Sequence, residues 1–180
     1  MIDKNCISTI GHIRFDPTDP KNEDIEIEDI AHALSMMTRA NGHFKVFFSV
    51  ARHSINCAVE AENRGYSKRV QLLCLLHDSA EAYIGDMTRP LKLKIPHFSE
   101  IEKKYQDIIF KKYIGEISDE EHSLAKDIDD AMLYHEFVKY NGEELLENYS
   151  GISVDLDKSL KTIEETKEEF ITLFGKLTGK

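Results

Sequence analysis

Five consecutive apolar residues, Leu72-Leu73-Cys74-Leu75-Leu76, end directly on His77-Asp78. With Val70 ahead of them the segment is apolar on nearly all sides, and Ser67 stands where a helix would be capped. A helix with no polar face belongs in the middle of a bundle. The run is far too short to cross a bilayer, which takes roughly 20 apolar residues. The chain therefore carries an imidazole and a carboxylate into its core, or to the core's edge. An unpaired buried carboxylate is costly, so something cationic has to meet Asp78.

The rest of the chain supplies helices to surround that one. Ile27, Ile30, Ala31, Leu34 and Met37 recur at helical spacing behind the acidic start Glu26, Glu28 and Asp29, and Asn41-Gly42 ends the helix. A second helix is expected from about Lys45 to Asn63, with Val46, Val50, Cys57 and Ala61 on one face and Gly65 as its stop. Gly85 to Pro96 reads as largely loop, and Phe98 to Tyr113 as a charged amphipathic helix. Ser118-Asp119-Glu120-Glu121 fits a capping box opening a helix to about Tyr140. Leu156, Leu160, Ile163, Phe170 and Phe174 form the stripe of a last helix, over about 155–175. Before all of these, Ile7 to Phe15 alternates loosely around Gly11, a short strand or hairpin closed by Asp16-Pro17-Thr18-Asp19-Pro20. The expectation is an all-α fold with a short N-terminal β-hairpin. No repeat or Gly/Ser linker divides the chain, so residues 1–180 read as one domain whose site lies within about 25–140.

Three of these helices each aim a metal-type ligand inward. His53 shares the face of Val46, Val50 and Cys57; His77 and Asp78 end the apolar helix; Asp129 sits beside Ala125, Ile128 and Met132. Taken singly, an inward His is usually a hydrogen-bonded core residue, and a buried Asp is often the partner of an Arg. Together, two neutral imidazoles and two carboxylates balance one divalent cation. Four N/O ligands suit manganese, cobalt, iron or zinc, and ligand type does not choose among them.

Glu81 follows His77 by four residues, on the same helical face, where it can move a proton or orient a water. Asp86 follows Gly85 in the loop leaving that helix. Arg39, Arg89 and Lys92 are the cations placed to reach the same pocket, with His32, His43 and Thr88 near it in sequence order.

The charge balance narrows the partner. With 23 Lys+Arg against 33 Asp+Glu the net charge is −10, which argues against gripping a nucleic-acid polymer but leaves room for a small phosphorylated substrate met by a local cationic cluster. Cys6, Cys57 and Cys74 are odd in number and lack CxxC spacing, so neither a disulfide framework nor a Cys-rich zinc site is expected. Met1-Ile2-Asp3-Lys4-Asn5 has no signal pattern, and a soluble cytoplasmic protein with no membrane attachment is the expectation.

The order His53, His77-Asp78, Asp129 resembles the H…HD…D signature of the HD superfamily of metal-dependent phosphohydrolases. Longer strings are similar to its bacterial and phage-associated branch, near the HD-domain 5′-deoxynucleotidases. They are Asp29-Ile30-Ala31-His32-Ala33-Leu34-Ser35, Arg39-Ala40-Asn41-Gly42-His43, Phe48-Ser49-Val50-Ala51-Arg52-His53-Ser54, His77-Asp78-Ser79-Ala80-Glu81-Ala82-Tyr83-Ile84-Gly85-Asp86 and Arg89-Pro90-Leu91-Lys92. The resemblance covers roughly Ile7 to Glu136. It implies an HD-type helical bundle with His53, His77, Asp78 and Asp129 holding one divalent metal ion. Asp129 is preferred to Asp130 because the family's spacing to a following Glu fits Glu136. The resemblance further implies Glu81 as catalytic carboxylate, Asp86 as a substrate-side carboxylate and Arg39 as a phosphate contact, with a homodimer as the assembly. The deoxynucleotidases carry Trp directly after that Arg; this chain has Ala40 there and no Trp at all.

The expected function is hydrolysis of a small phosphate ester, foremost a nucleoside 5′-monophosphate. Two enzymatic alternatives stay open, a phosphoanhydride hydrolase and a cyclic-nucleotide phosphodiester hydrolase. So do a nucleotide-binding regulatory module with little turnover and a helical domain without a metal.

Overall fold

Helix α3 (Lys68–Leu76) has Val70 through Leu76 buried without a break, Gln71 included. Ser67 caps it, its Oγ accepting from the Val70 amide at 3.3 Å. This comes from a computed structural model that describes residues 4–144 and 149–179; Met1-Ile2-Asp3 of the expected leader-free start lies outside them.

Around α3 pack α2 (Val50–Asn63), α7 (Asp119–Glu136) and α8 (Ile163–Thr178), while α1 (Ile27–Met36) packs on α8 and α2; α4 (Glu81–Ile84), α5 (Arg89–Lys92) and α6 (Pro96–Tyr113) lie between α3 and α7 in the chain. The architecture is mostly helical, with a two-stranded antiparallel hairpin, β1 (Ile7–Ser8) and β2 (Arg14–Phe15), in the register Ile7 to Phe15 and Ser8 to Arg14. Phe15 anchors the hairpin: it is fully buried, stacks on Tyr83 with ring centroids 4.5 Å apart and contacts Tyr105. No helix among the described residues is long and apolar enough to cross a membrane.

Both capping boxes close as their sequences require. In α7 the Ser118 Oγ accepts from the Glu121 amide at 3.2 Å while Glu121 accepts from the Ser118 amide at 2.9 Å. In α8 Thr162 and Glu165 make the same exchange.

Four boundaries differ from the expectation, each for a local reason. Helix α1 ends at Met36, short of Asn41-Gly42, because the backbone turns extended at Met37 and Thr38. Helix α2 starts at Val50, not near Lys45, because Ser49 is its cap and the preceding segment runs extended beside Thr38. Its ties are Arg39 N to Phe48 O at 2.8 Å and Val50 N to Met37 O at 3.0 Å. Val46 is consequently exposed and not on the inward face, and Phe44 and Phe48 fill the core there against Tyr140. Helix α8 starts at Ile163 because Thr162 caps it; Leu156 is buried from a separate 3₁₀ turn, and Leu160 is exposed. Helix α7 is regular to Glu136 and then widens into a π turn over Phe137–Asn141, closed by Gly142 at φ +84°. The Gly85–Pro96 stretch holds one helical turn, α5, and Pro96 opens α6 at a position where its missing N–H costs nothing.

Arg52 joins the two halves of the bundle. It reaches from α2 to Thr166 Oγ1 at 3.2 Å and Glu169 at 2.7 Å, both on α8.

Candidate metal centre

The end of α3, the middle of α2 and the inward face of α7 meet at one point. His53 Nε2 lies 3.0 Å from Asp129 Oδ1 and 4.0 Å from Asp78 Oδ2, and His77 Nε2 lies 3.2 Å from Asp78 Oδ2 and 3.5 Å from Asp129 Oδ1. Donors sharing an octahedral ion at about 2.1 Å would stand roughly 3.0 Å apart when adjacent and 4.2 Å apart when opposite. The four separations, 3.0 to 4.0 Å, lie within the span that one shared ion allows.

Each imidazole is oriented through its other nitrogen. His53 Nδ1 is 3.0 Å from both Glu136 oxygens, and His77 Nδ1 donates to the Cys74 carbonyl at 2.7 Å. Both rings thus spend an N–H on a fixed acceptor and present Nε2 to the shared point, the arrangement that metal-binding histidines take. In that tautomer His53 Nε2 and Asp129 Oδ1 face each other as two acceptors, so either a proton or a cation has to lie between them. His77 Nε2 is buried with no hydrogen-bond partner among the described residues, its carboxylate neighbours lying out of line. The donor set fits a divalent cation on both counts.

The electrostatics say the same. Burial works to lower the His77 pKa, but Asp78 and Asp129 hold it well above the usual histidine value. Burial and the Arg39 charge pull His53 down, and Glu136 and Asp129 outweigh them. Against the penalty of burial, the two histidines hold Asp129 well below the carboxylate range, and His77 with Arg39 does the same for Asp78. Arg39 enters this acidic group: its Nη1 is 3.0 Å from Asp78 Oδ2, its Nη2 4.0 Å from Asp129 Oδ1 and its Nε 3.9 Å from Glu136 Oε2.

A cleft of about 400 Å³ opens beside the centre. Arg39, Asp78, Glu81, Asp86, Thr88, Arg89, Lys92 and Asp129 line its polar end, and Ala40, Phe44, Met87, Pro90, Leu133 and Phe137 line the rest. Glu81 is buried, and its Oε2 has no hydrogen-bond partner among the described residues. Burial first, then the Asp78 and Asp86 charges, push its pKa well above the usual carboxylate value. Burial likewise raises Asp86. Lys92 Nζ is shared by Glu102 and Glu81, the latter at 3.5 Å. Arg89 is held over the mouth by Asp130, 3.0 Å away.

His32, expected near the site, does not line the cleft, and neither does His43. His43 is exposed. Ala40, Asn41 and Gly42 take positive φ in succession, at +51°, +50° and +77°, and this left-handed turn carries His43 outward. Two residues the expected ligand set omitted stand against the ligands. Glu136 follows Asp129 by seven residues, two turns along one face of α7, and Cys57 follows His53 by four on α2. Cys57 Sγ is 3.5 Å from His53 Nε2, and donor atoms of His53, Cys57 and His77 all lie within 4.8 Å of one another. The periodicity that placed His53 could have flagged Cys57, one turn further along the same helix.

Comparison with known proteins agrees with this geometry. A family model described as HD domain matches residues 47–169, which contain His53, His77, Asp78 and Asp129. The chain is 36% identical over 91 residues to the uncharacterized protein YfdR of Escherichia coli, covering 51% of this chain and 48% of that protein. It is 43% identical over 86 residues to an uncharacterized protein of Rhodobacter capsulatus, covering 46% of this chain and 44% of that one. The matched stretches span about half the length of each relative.

Proposed function

Since the chain belongs to the HD-domain family, we propose that it is a metal-dependent phosphohydrolase acting on a small phosphate ester, and that a nucleoside 5′-monophosphate is the substrate its cleft suits best. The observation that carries this reading is the convergence of His53, His77, Asp78 and Asp129 beside a cleft that Asp78 and Asp129 line. These four residues would hold a divalent cation. When bound, the cation supplies a Lewis acid for a phosphoryl oxygen and makes a neighbouring water more acidic.

The chain's own groups do the rest. Arg39, tied to Asp78 and facing Asp129, offers guanidinium donors toward the equatorial phosphoryl oxygens, with Arg89 and Lys92 adding positive charge at the mouth. Water adds to phosphorus and the bond to the ester oxygen breaks. Glu81 Oε2, buried and unpaired, is placed to exchange the proton that moves between them. Its raised pKa brings that exchange closer to neutral pH. Asp86 and Thr88 border the space for the sugar. The apolar wall of Ala40, Phe44, Leu133 and Phe137 offers a dry surface for a flat ring, and the volume lies in the range of small-molecule sites. The three free thiols suit a reducing cytoplasm.

The test is elemental analysis of the purified chain together with phosphate release from nucleoside mono-, di- and triphosphates and hydrolysis of cyclic nucleotides. Metal-dependent release from monophosphates is expected. Turnover confined to anhydrides or cyclic diesters would replace the substrate and keep the centre. Bound metal and nucleotide without turnover would leave a binding module.

A further inference from the structure

The inner wall of the centre holds one donor that the carboxylate and imidazole set does not use. Cys57 lies one turn beyond His53 on the same face of α2, with its Sγ 3.5 Å from His53 Nε2. His77 joins them from the end of α3, so that nitrogen, sulfur and nitrogen from two helices lie within 4.8 Å. For an ion bound at about 2.3 Å by sulfur and about 2.0–2.1 Å by nitrogen, tetrahedral geometry places the two donors about 3.5 Å apart. The observed separation equals that edge.

Position separates the sulfur from the oxygens. Cys57 and His53 are fully buried, whereas Asp78 and Asp129 keep part of their surface toward the cleft. His53 Nε2 therefore has the Cys57 sulfur at 3.5 Å within the core and Asp129 Oδ1 at 3.0 Å toward the cleft. A cation at this point can draw three donors from His53, Cys57 and His77, with Asp129 Oδ1 at 3.0 Å from His53 Nε2. A hard ion such as magnesium or manganese has no use for the sulfur; zinc and cobalt do.

We infer that Cys57 is a ligand of this centre when it holds a thiophilic divalent cation, so that the site combines a hard, oxygen-rich side facing the cleft with a soft side facing the core. The inference rests on the metal reading above. On coordination the thiol gives its proton to the solvent and the sulfur binds as thiolate.

Cobalt(II) titration of the metal-free full chain tests it. A thiolate-to-cobalt charge-transfer absorption in the near ultraviolet is expected beside the weaker visible bands of the bound ion. The band should persist in the Cys6→Ala/Cys74→Ala variant, where Cys57 is the sole remaining thiol, and disappear in Cys57→Ala. Chelator competition should then show zinc held at least about tenfold more weakly by Cys57→Ala, with manganese affinity changed by less than about threefold. The double variant decides the matter even if Cys57→Ala does not fold. Visible bands without charge transfer in the wild type would overturn the inference and leave the His/Asp centre standing. Absence of any cobalt uptake would overturn that centre as well.

Discussion

Glu136 meets His53 Nδ1 with both carboxylate oxygens at 3.0 Å, and neither side chain has any exposed surface. The pair fixes which nitrogen of His53 carries the proton and so which one is left for a ligand bond. Glu136→Gln keeps the volume but removes the charge and gives the amide a donor of its own. Metal affinity should fall roughly 10–100-fold, read by competition with a chromogenic chelator. Wild-type affinity in a folded Glu136→Gln protein would reduce Glu136 to a packing residue.

Glu81 is expected to separate rate from stability. Glu81→Gln should lower phosphate release by about 10²–10⁴-fold while leaving metal content unchanged. For stability the sign is opposite. Burial and the neighbouring acids raise the folded-state pKa above the ordinary 4.5, so the folded state disfavours the ionised form. Below pH 4.5 both states are protonated and the cost is absent; it grows as pH rises through the folded-state value. Metal-free Glu81→Gln should therefore be more stable than wild type at pH 8, with the gain vanishing toward pH 4.5 in urea unfolding. A constant difference across that range would place the cause elsewhere.

Much of this was legible because the signals were periodic. The apolar run Leu72–Leu76 placed α3 at the centre, and His53 and Asp129 stood on stripes whose other members, Val46 excepted, are buried. Helix starts were harder: Val46 and Leu160 continue an apolar rhythm across Ser49 and Thr162, and only the caps break it. His43 read as close to the pocket since nothing in Ala40-Asn41 announces a left-handed backbone. Glu136 served as a spacing landmark, not a site residue, since a Glu near a helix end is ordinarily solvated. Its contact with His53 is set by the crossing of α2 and α7, which no local pattern encodes.

Ala40 holds a left-handed conformation at φ +51°, ψ +36°, on the wall of the cleft. For a residue with a Cβ this costs about 1–2 kcal/mol, against about 0.4–1 kcal/mol of extra unfolded-state entropy for Gly. Ala40→Gly should thus stabilise the chain by about 0.5–1 kcal/mol, a rise of a few degrees in Tm by calorimetry. A lower Tm would mean that the methyl group's packing outweighs the backbone strain.

Glu121 provides a pH test remote from the metal centre. One of its oxygens accepts from Arg69 Nε at 2.9 Å and the other from the Ser118 amide at 2.9 Å, closing the capping box of α7. The Arg69 hydrogen bond, with the Ser118 amide second, lowers its pKa from 4.5 to about 2. A depressed carboxylate stabilises the fold fully above its unfolded-state pKa and loses that contribution as pH falls through the folded-state one. Glu121→Gln should accordingly be less stable than wild type at pH 7 and at pH 5. The gap in urea midpoint should close between pH 4.5 and about 2. Because Glu121 and Arg69 are solvent-accessible, added salt should narrow it too. A gap that survives at pH 2 would assign the loss to the shape of the amide and not to the charge at the helix start.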